Sequence, residues 1–217
     1  MKFLIFSYYD GSFNELAKIT MPTYQEYCEL HGYNFYCKTQ NFTEGRTIGW
    51  SKFEIFLENM DKYDWIFYVE CDSMLMNQTI RLENLIDHHH DIIMTKTDLP
   101  NTIDLNCGPM LVRSCEWNKQ FFKYLLNKKE YYTHQLVEQA ALSDEVNQNE
   151  EVRKHFKIMN IRFFNSLYHS WHMNSSYKHG DFMLHLAGRS NQSRFEIFNE
   201  TKQHIIKASD YKISFEP

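Results

Sequence analysis

The sequence predicts an α/β domain whose central sheet is mostly parallel and flanked by helices, and three observations predict it. Short apolar runs rich in aromatic and β-branched residues alternate with stretches of helical periodicity along most of the chain. Those runs are apolar at successive positions, as in strands covered on both faces. A chain of 217 residues with 43% hydrophobic content can bury one sizeable core, so a single domain over 1–217 is expected.

The elements follow in order. KFLIFSYY, Lys2 to Tyr9, reads as a first buried strand that runs into the turn signal Asp10-Gly11. Phe13, Leu16, Thr20, Tyr24 and Tyr27 keep helical spacing, with an interruption expected at Pro22 and a stop at Gly32. YNFYCKT is the second strand. SKFEIFLENM sets Phe53, Phe56, Leu57 and Met60 at i, i+3, i+4 and i+7, an amphipathic helix with Ser51 as its cap. WIFYV, from Trp65, is too short for a helix and rich in strand formers, so it reads as a central strand. DIIMT (from Asp91) and PMLVR (from Pro109) are further strands, and Trp117, Phe121, Tyr124 and Leu125 form a helix face. Between about Glu130 and Lys157 the chain turns polar, with one helix expected around HQLVEQAAL and an exposed segment after it. FMLHLAG, Phe182 to Gly188, reads as a late strand, and the polar mixture from Asn191 onward has no assignable element.

Composition narrows the function classes. A formal charge of −5 argues against a nucleic-acid binder that works by neutralising phosphates. The apolar stretch in MKFLIFSYYDG is too short for a signal-peptide core or a membrane span, so a soluble, cytoplasmic chain is expected. Five cysteines without a CxxC pair fit reduced thiols better than a disulfide framework. His88-His89-His90 precedes a strand and reads as a solvated loop.

The stretch WIFYVECDSMLMN breaks an apolar run on two carboxylates, Glu70 and Asp72. Open α/β sheets bind ligands beyond the carboxyl ends of their strands, which makes this pair a candidate site. A solvated turn after the strand is the alternative.

Taken in order, YCELHGYNF, GWSKFEIFLE, YDWIFYVECDSMLMN, LNCGPMLVRSCEWNKQFF, EQAAL and HLAGR resemble glycosyltransferase family 34, the galactosyl-, mannosyl- and xylosyltransferases with a GT-A fold. The pieces extend over most of the chain from about Tyr24 to Arg189. The chain looks more like the compact soluble versions of large DNA viruses and bacteria than the membrane-anchored members. The resemblance implies a Rossmann-like GT-A domain. It also implies a metal-dependent transfer of a sugar from a UDP- or GDP-linked donor to a glycan hydroxyl.

The resemblance also carries residues over. The family's strand-end motif is Asp-x-Asp, a metal anchor, and here it reads Glu70-Cys71-Asp72. Asp72 is therefore expected to ligate the metal, and Glu70 to ligate it directly, through water, or to bind the ribose instead. His185 in HLAGR matches a further ligand of the family; by itself, a histidine in an apolar strand reads as a hydrogen-bonded core residue. The implied ion is Mn²⁺ or Mg²⁺, and an imidazole ligand favours Mn²⁺. Arg189, with Gly188 before it, and Lys52 are the implied cations on the diphosphate, an exposed helix lysine being the alternative for Lys52. Ser7, Tyr8 and Tyr9 end the first strand where GT-A folds accept the nucleotide; core packing is their other reading. Asn106 and Gly108 match an N-x-G expected before a strand and beside the donor sugar, a tight turn into that strand being the alternative.

Glu138 and Gln139 match an acid and an amide beside the reacting sugar. For a retaining transfer Glu138 would stabilise or attack the oxocarbenium-like centre and Gln139 would position the sugar; a solvated helix glutamate is the alternative. Asp98 and Asp104 lie near the same pocket in sequence and receive no role. Two other classes remain. A sugar nucleotidyltransferase needs a Gly-rich basic loop after the first strand, which SYYDGSFNE is not. A nucleotide-sugar-binding module without catalysis is favoured by Glu70 and opposed by Asp72, Glu138, Gln139 and His185.

Overall fold

A computed structural model of the chain describes residues 1–39, 46–96, 105–168 and 175–211. The strands are β1 (Phe3–Tyr9), β2 (Asn34–Thr39), β3 (Trp65–Tyr68), β4 (Ser73–Leu75), β5 (Ile92–Lys96), β6 (Leu105–Arg113), β7 (Phe156–Asn160), β8 (Ser166–Leu167) and β9 (Met183–His185). The helices are α1 (Asn14–His31), α2 (Ser51–Asn59), α3 (Glu116–Leu125), α4 (Val137–Gln148), α5 (Glu150–Arg153) and α6 (Asn191–Thr201). The main sheet has the order β2-β1-β3-β6-β5-β7, and all its strands run parallel except β6, which is antiparallel to both neighbours. A second sheet, β4-β9-β8, stands beyond its carboxyl edge.

The period-two alternation of the strands sorts their side chains into two core layers. Leu4, Phe6, Tyr8, Ile66 and Tyr68 pack on one side against α2, α3 and α4. Phe3, Ile5, Trp65, Phe67 and Val69 pack on the other against α1. A third cluster, Leu16, Met74, Met76, Leu184, Leu186, Ile197 and Phe198, joins α1 and α6 to the second sheet. All five cysteines are free thiols. Among the described residues no helix is long and apolar enough to cross a membrane.

Several expectations are corrected. Pro22 does not interrupt the first helix, which runs unbroken from Asn14 to His31. Pro22 and Lys18, whose carbonyl loses its helical donor, are both exposed, so water can satisfy that oxygen while Tyr24 and Tyr27 on the other face are fully buried. Ser51 does not cap α2. The helix continues directly from a 3₁₀ turn, Ile48–Trp50, and the Ser51 N–H already bonds Ile48 O. On α3 Phe121 and Leu125 are buried as expected and Phe122 joins them, whereas Tyr124 is exposed and its hydroxyl bonds Glu145. The helix expected around HQLVEQAAL starts only at Val137. Asn106 and Gly108 lie within β6, not before it. The segment read as exposed is mostly so and contains the short helix α5, but it leads into an unexpected edge strand, β7, and the unassigned tail contains α6, which buries only Ile197 and Phe198.

Candidate functional site

β3 delivers Glu70 and Asp72 to a short turn at the sheet's carboxyl edge, and α1 locks that turn from behind. Thr20 and Tyr24, one helical turn apart, supply the lock. The Thr20 hydroxyl donates to Cys71 O at 2.9 Å, and the Tyr24 hydroxyl meets Ser73 Oγ at 2.7 Å. Ser73 Oγ in turn donates to Glu70 O at 2.7 Å, so the backbone between the carboxylates has little freedom.

His185 arrives from more than a hundred residues away because β9 pairs with β4. Ser73 is the partner of His185 in that ladder, and Leu186 N donates to Asp72 O at 2.9 Å. The imidazole Nε2 lies 2.9 Å from Glu70 Oε2 and 3.3 Å from Asp72 Oδ1. One ligand atom from each of the three residues falls within 4.8 Å of the others. Nδ1 faces Asn165 Oδ1 at 2.7 Å, an acceptor, so this nitrogen is protonated and Nε2 is the atom turned to the carboxylates. Burial opposes a charged imidazole, but Asp72 and Glu70 override it and push the His185 pKa up to about 10. Burial likewise pushes the Asp72 carboxyl up, and His185 and Arg194 outweigh it, holding Asp72 below the usual carboxylate range.

Beside this cluster lies a hollow of about 330 Å³, lined by Glu70, Asp72, Asn106, Gly108, Glu138, Gln139, His185 and Gly188, together with Phe13, Cys107 and Ala187. The pairing of β5 with β6 jumps from Ile93↔Leu111 to Thr95↔Asn106, and the bulged β6 residues between bring Asn106 to Gly108 into its wall. Gly108 leaves room for Glu70, since a Cβ there would sit 2.8 Å from Glu70 Oε2. Gln139 Oε1 accepts from Cys107 N at 3.3 Å.

Glu138 enters at the first turn of α4, preceded by Val137 at φ 48°, a strained conformation for a β-branched residue. Its Oε1 is 2.9 Å from Lys52 Nζ, in a pair that is almost wholly buried. Lys52 also donates to Cys107 O and lies 4.7 Å over the Tyr68 ring. Burial works against its ammonium, yet Glu138 overrides this and raises the Lys52 pKa above the ordinary lysine range.

A second hollow, of about 140 Å³, is lined by Tyr8, Tyr9, Asp10, Ile48, Gly49 and Tyr68 and shares Phe13, Glu70 and Asp72 with the first. The two carboxylates thus stand between the hollows. Tyr8 is buried, stacked on Tyr68, and its hydroxyl donates to Gly49 O at 3.0 Å; Tyr9 is half-buried. Ser7 is fully buried in the sheet and is not among the described residues lining either hollow. Arg189 is turned aside, donating to Tyr168 O at 3.0 Å with its guanidinium over the Tyr168 ring. Asp98 and Asp104 lie outside the described residues. His88 and His89 are exposed in a loop, as expected.

Sequence reasoning missed three contributors. Arg194, on α6, pairs with Asp72 Oδ2 at 2.7 Å and stacks on Phe13. Asn165 orients His185. Neither carries a signal in its local sequence, because each acts through a partner distant in the chain. Gly49 lies within the GWSKFEIFLE segment and could have been singled out there. A Cβ on Gly49 would come within 2.1 Å of Glu138 Oε2. Gly49→Ala is therefore expected to push Glu138 off Lys52, lower turnover at least about tenfold and cost about 1–3 kcal/mol of stability. Turnover and thermal unfolding check this, and wild-type values in both would show that the Glu138 position is not constrained by Gly49.

A sequence profile of the galactosyl transferase family GMA12/MNN10 matches residues 7–98 and 83–196. The chain is 24% identical over 220 residues to an uncharacterized alpha-1,2-galactosyltransferase of Schizosaccharomyces pombe, covering 80% of this chain and 63% of the yeast protein. It is similar in structure to a glycosyltransferase involved in the glycosylation of the major capsid of PBCV-1. That match has a TM-score of 0.75 at 17% identity and covers 92% of this chain and 100% of that one. It is also similar to the galactosyltransferase LgtC in complex with donor and acceptor sugar analogs, with a TM-score of 0.61 at 12% identity over 94% and 96% of the two chains. A third likeness is to a Drosophila beta-1,4-galactosyltransferase 7 variant complexed with manganese, UDP-Gal and xylobiose. Its TM-score is 0.52 at 13% identity, over 100% and 82% of the two chains. These solved structures bear on the fold, which is of the GT-A kind.

Proposed function

The chain belongs to the galactosyl transferase GMA12/MNN10 family, and from that premise we propose that it is a metal-dependent glycosyltransferase, moving a sugar from a UDP- or GDP-linked donor to a hydroxyl of a glycan acceptor. The observation that carries this reading is the convergence of Glu70, Asp72 and His185, with the two carboxylates standing between two hollows and the imidazole facing the larger. Two carboxylate oxygens and one imidazole nitrogen suit Mn²⁺, with Mg²⁺ next, and the Asn165 contact leaves Nε2 as the ligand atom. When bound, the cation supplies neutralisation of the charge that develops on the departing diphosphate.

The chain's own residues divide the remaining work. Tyr9, with Tyr8 behind it, receives the nucleotide in the smaller hollow, while Asn106, Gly108 and Gln139 surround the sugar in the larger. The bond from the anomeric carbon to the diphosphate breaks with its electron pair leaving on phosphate. The acceptor oxygen forms the new bond and passes its proton to the departing phosphate. Glu138 offers negative charge to the sugar centre as that bond weakens. Lys52 holds Glu138 in place and is itself engaged beneath it, so its role moves from phosphate contact to positioning. Arg194, bonded to Leu186 O, Asn191 Oδ1 and Asp72 Oδ2, acts behind Asp72 and holds that carboxylate in position.

Release of UDP or GDP from a panel of nucleotide sugars, with Mn²⁺ and with EDTA, tests the reading. Turnover is expected only with the metal present. Full turnover in EDTA, or saturable donor binding with no turnover under any condition, would sink it.

A further inference from the structure

α1 and α6, with Ser12 before them, bound a groove of about 400 Å³, lined by Ser12, Glu15, Leu16, Asn191, Gln192 and Phe195. Phe195 is the anomaly there. Its helix buries Ile197 and Phe198, whereas the Phe195 ring is 43% exposed. Asn191 and Phe195, one turn apart on α6, face the groove together. Asn191 Nδ2 reaches across to Ser12 O at 3.2 Å and ties the two walls to each other.

We infer that this groove is an outer subsite for a neutral sugar residue of the acceptor glycan. The chemistry of the lining decides between ligand classes. An exposed aromatic face attracts the weakly positive C–H face of a pyranose, and the amide and carboxylate oxygens around it, held in place by Arg194, Glu196 and Lys18, keep lone pairs that can accept from sugar hydroxyls. No lysine or arginine is among the described lining residues, and the lining carboxylate Glu15 is paired with Lys18, so the lining itself offers no cation to a phosphate or nucleotide. One aromatic set among polar groups is also far smaller than the apolar centre of a stable protein interface.

Position supplies the link to transfer. Phe13, next to Ser12, lines both catalytic hollows, and Arg194, next to Phe195, pairs with Asp72. A glycan whose reacting hydroxyl enters the larger hollow can therefore lay a neighbouring residue over Phe195. The inference rests on the transfer reaction proposed above, and its test separates the two.

Saturation-transfer NMR with lactose and α-1,2-mannobiose, on the wild type and on Phe195→Ala and Gln192→Ala, reads the groove independently of turnover. Transfer to at least one disaccharide is expected in the wild type and should be lost in Phe195→Ala. With an accepted disaccharide as substrate, Phe195→Ala is expected to raise the acceptor KM about tenfold. The donor KM and acceptor-free donor hydrolysis should stay unchanged. Disaccharide binding that is absent in the wild type, or that survives both substitutions, overturns the subsite. A wild type that binds disaccharide through Phe195 yet turns over no donor would leave the subsite standing and remove the transfer reaction.

Discussion

Asp72→Asn is expected to lower metal-dependent turnover by about 10²–10³-fold while leaving the chain folded. The reason lies in how its two oxygens are divided. Oδ1 faces His185 at 3.3 Å and Oδ2 pairs with Arg194 at 2.7 Å, so one carboxylate serves both the candidate metal cluster and the cation on α6. An amide keeps the shape and one acceptor oxygen but loses the charge that a divalent cation needs from this position. Arg194 retains its bonds to Leu186 O and Asn191 Oδ1, which limits the loss of stability to about 1–3 kcal/mol. Thermal unfolding with and without Mn²⁺ separates the two effects. The wild type should gain stability from the metal through its preferential binding to the folded state, and the variant should gain little. Wild-type turnover and an undiminished Mn²⁺ shift in Asp72→Asn would remove this residue from the site.

The second large effect is expected at Lys52. Lys52→Met should destabilise the protein by about 3–5 kcal/mol, because it leaves the largely buried Glu138 carboxylate without its counter-charge. It also leaves Cys107 O without the lysine ammonium as a donor. Turnover should fall with it, since the glutamate is then free to leave the position that Lys52 and Gly49 define. A double variant decides whether the two act as a unit. Adding Glu138→Gln to Lys52→Met removes the stranded charge, so the pair should be more stable than Lys52→Met alone. If the two losses simply add, the buried pair is not a unit and the positioning role of Lys52 falls.

Much of this was legible in the chain. The runs KFLIFSYY, WIFYV and DIIMT are apolar on both faces, which only a covered sheet tolerates, and each became a strand of the main sheet. What escaped were the short or half-buried pieces. β4 and β8 are too brief to show a period, β7 is an edge strand, and α6 spends most of its surface on water. Pro22 misled because local propensity counts its lost hydrogen bond but not the buried tyrosines on the opposite face of the same helix.

By itself the sequence determined the class of fold and the chain order of its longer strands and main helices, because burial periodicity is written along the chain and needs no distant partner. It also set Glu70 and Asp72 at the end of a central strand. Only the tertiary structure decided that His185 meets them, that Lys52 lies buried under Glu138, and that Arg194 rather than Arg189 stands at Asp72. Those outcomes depend on strand pairing between β4 and β9 and on the packing of the Ile48–Trp50 turn against α4 and of α6 against α1. Such contacts are set by the energy of the whole core, and no local pattern of residues encodes them.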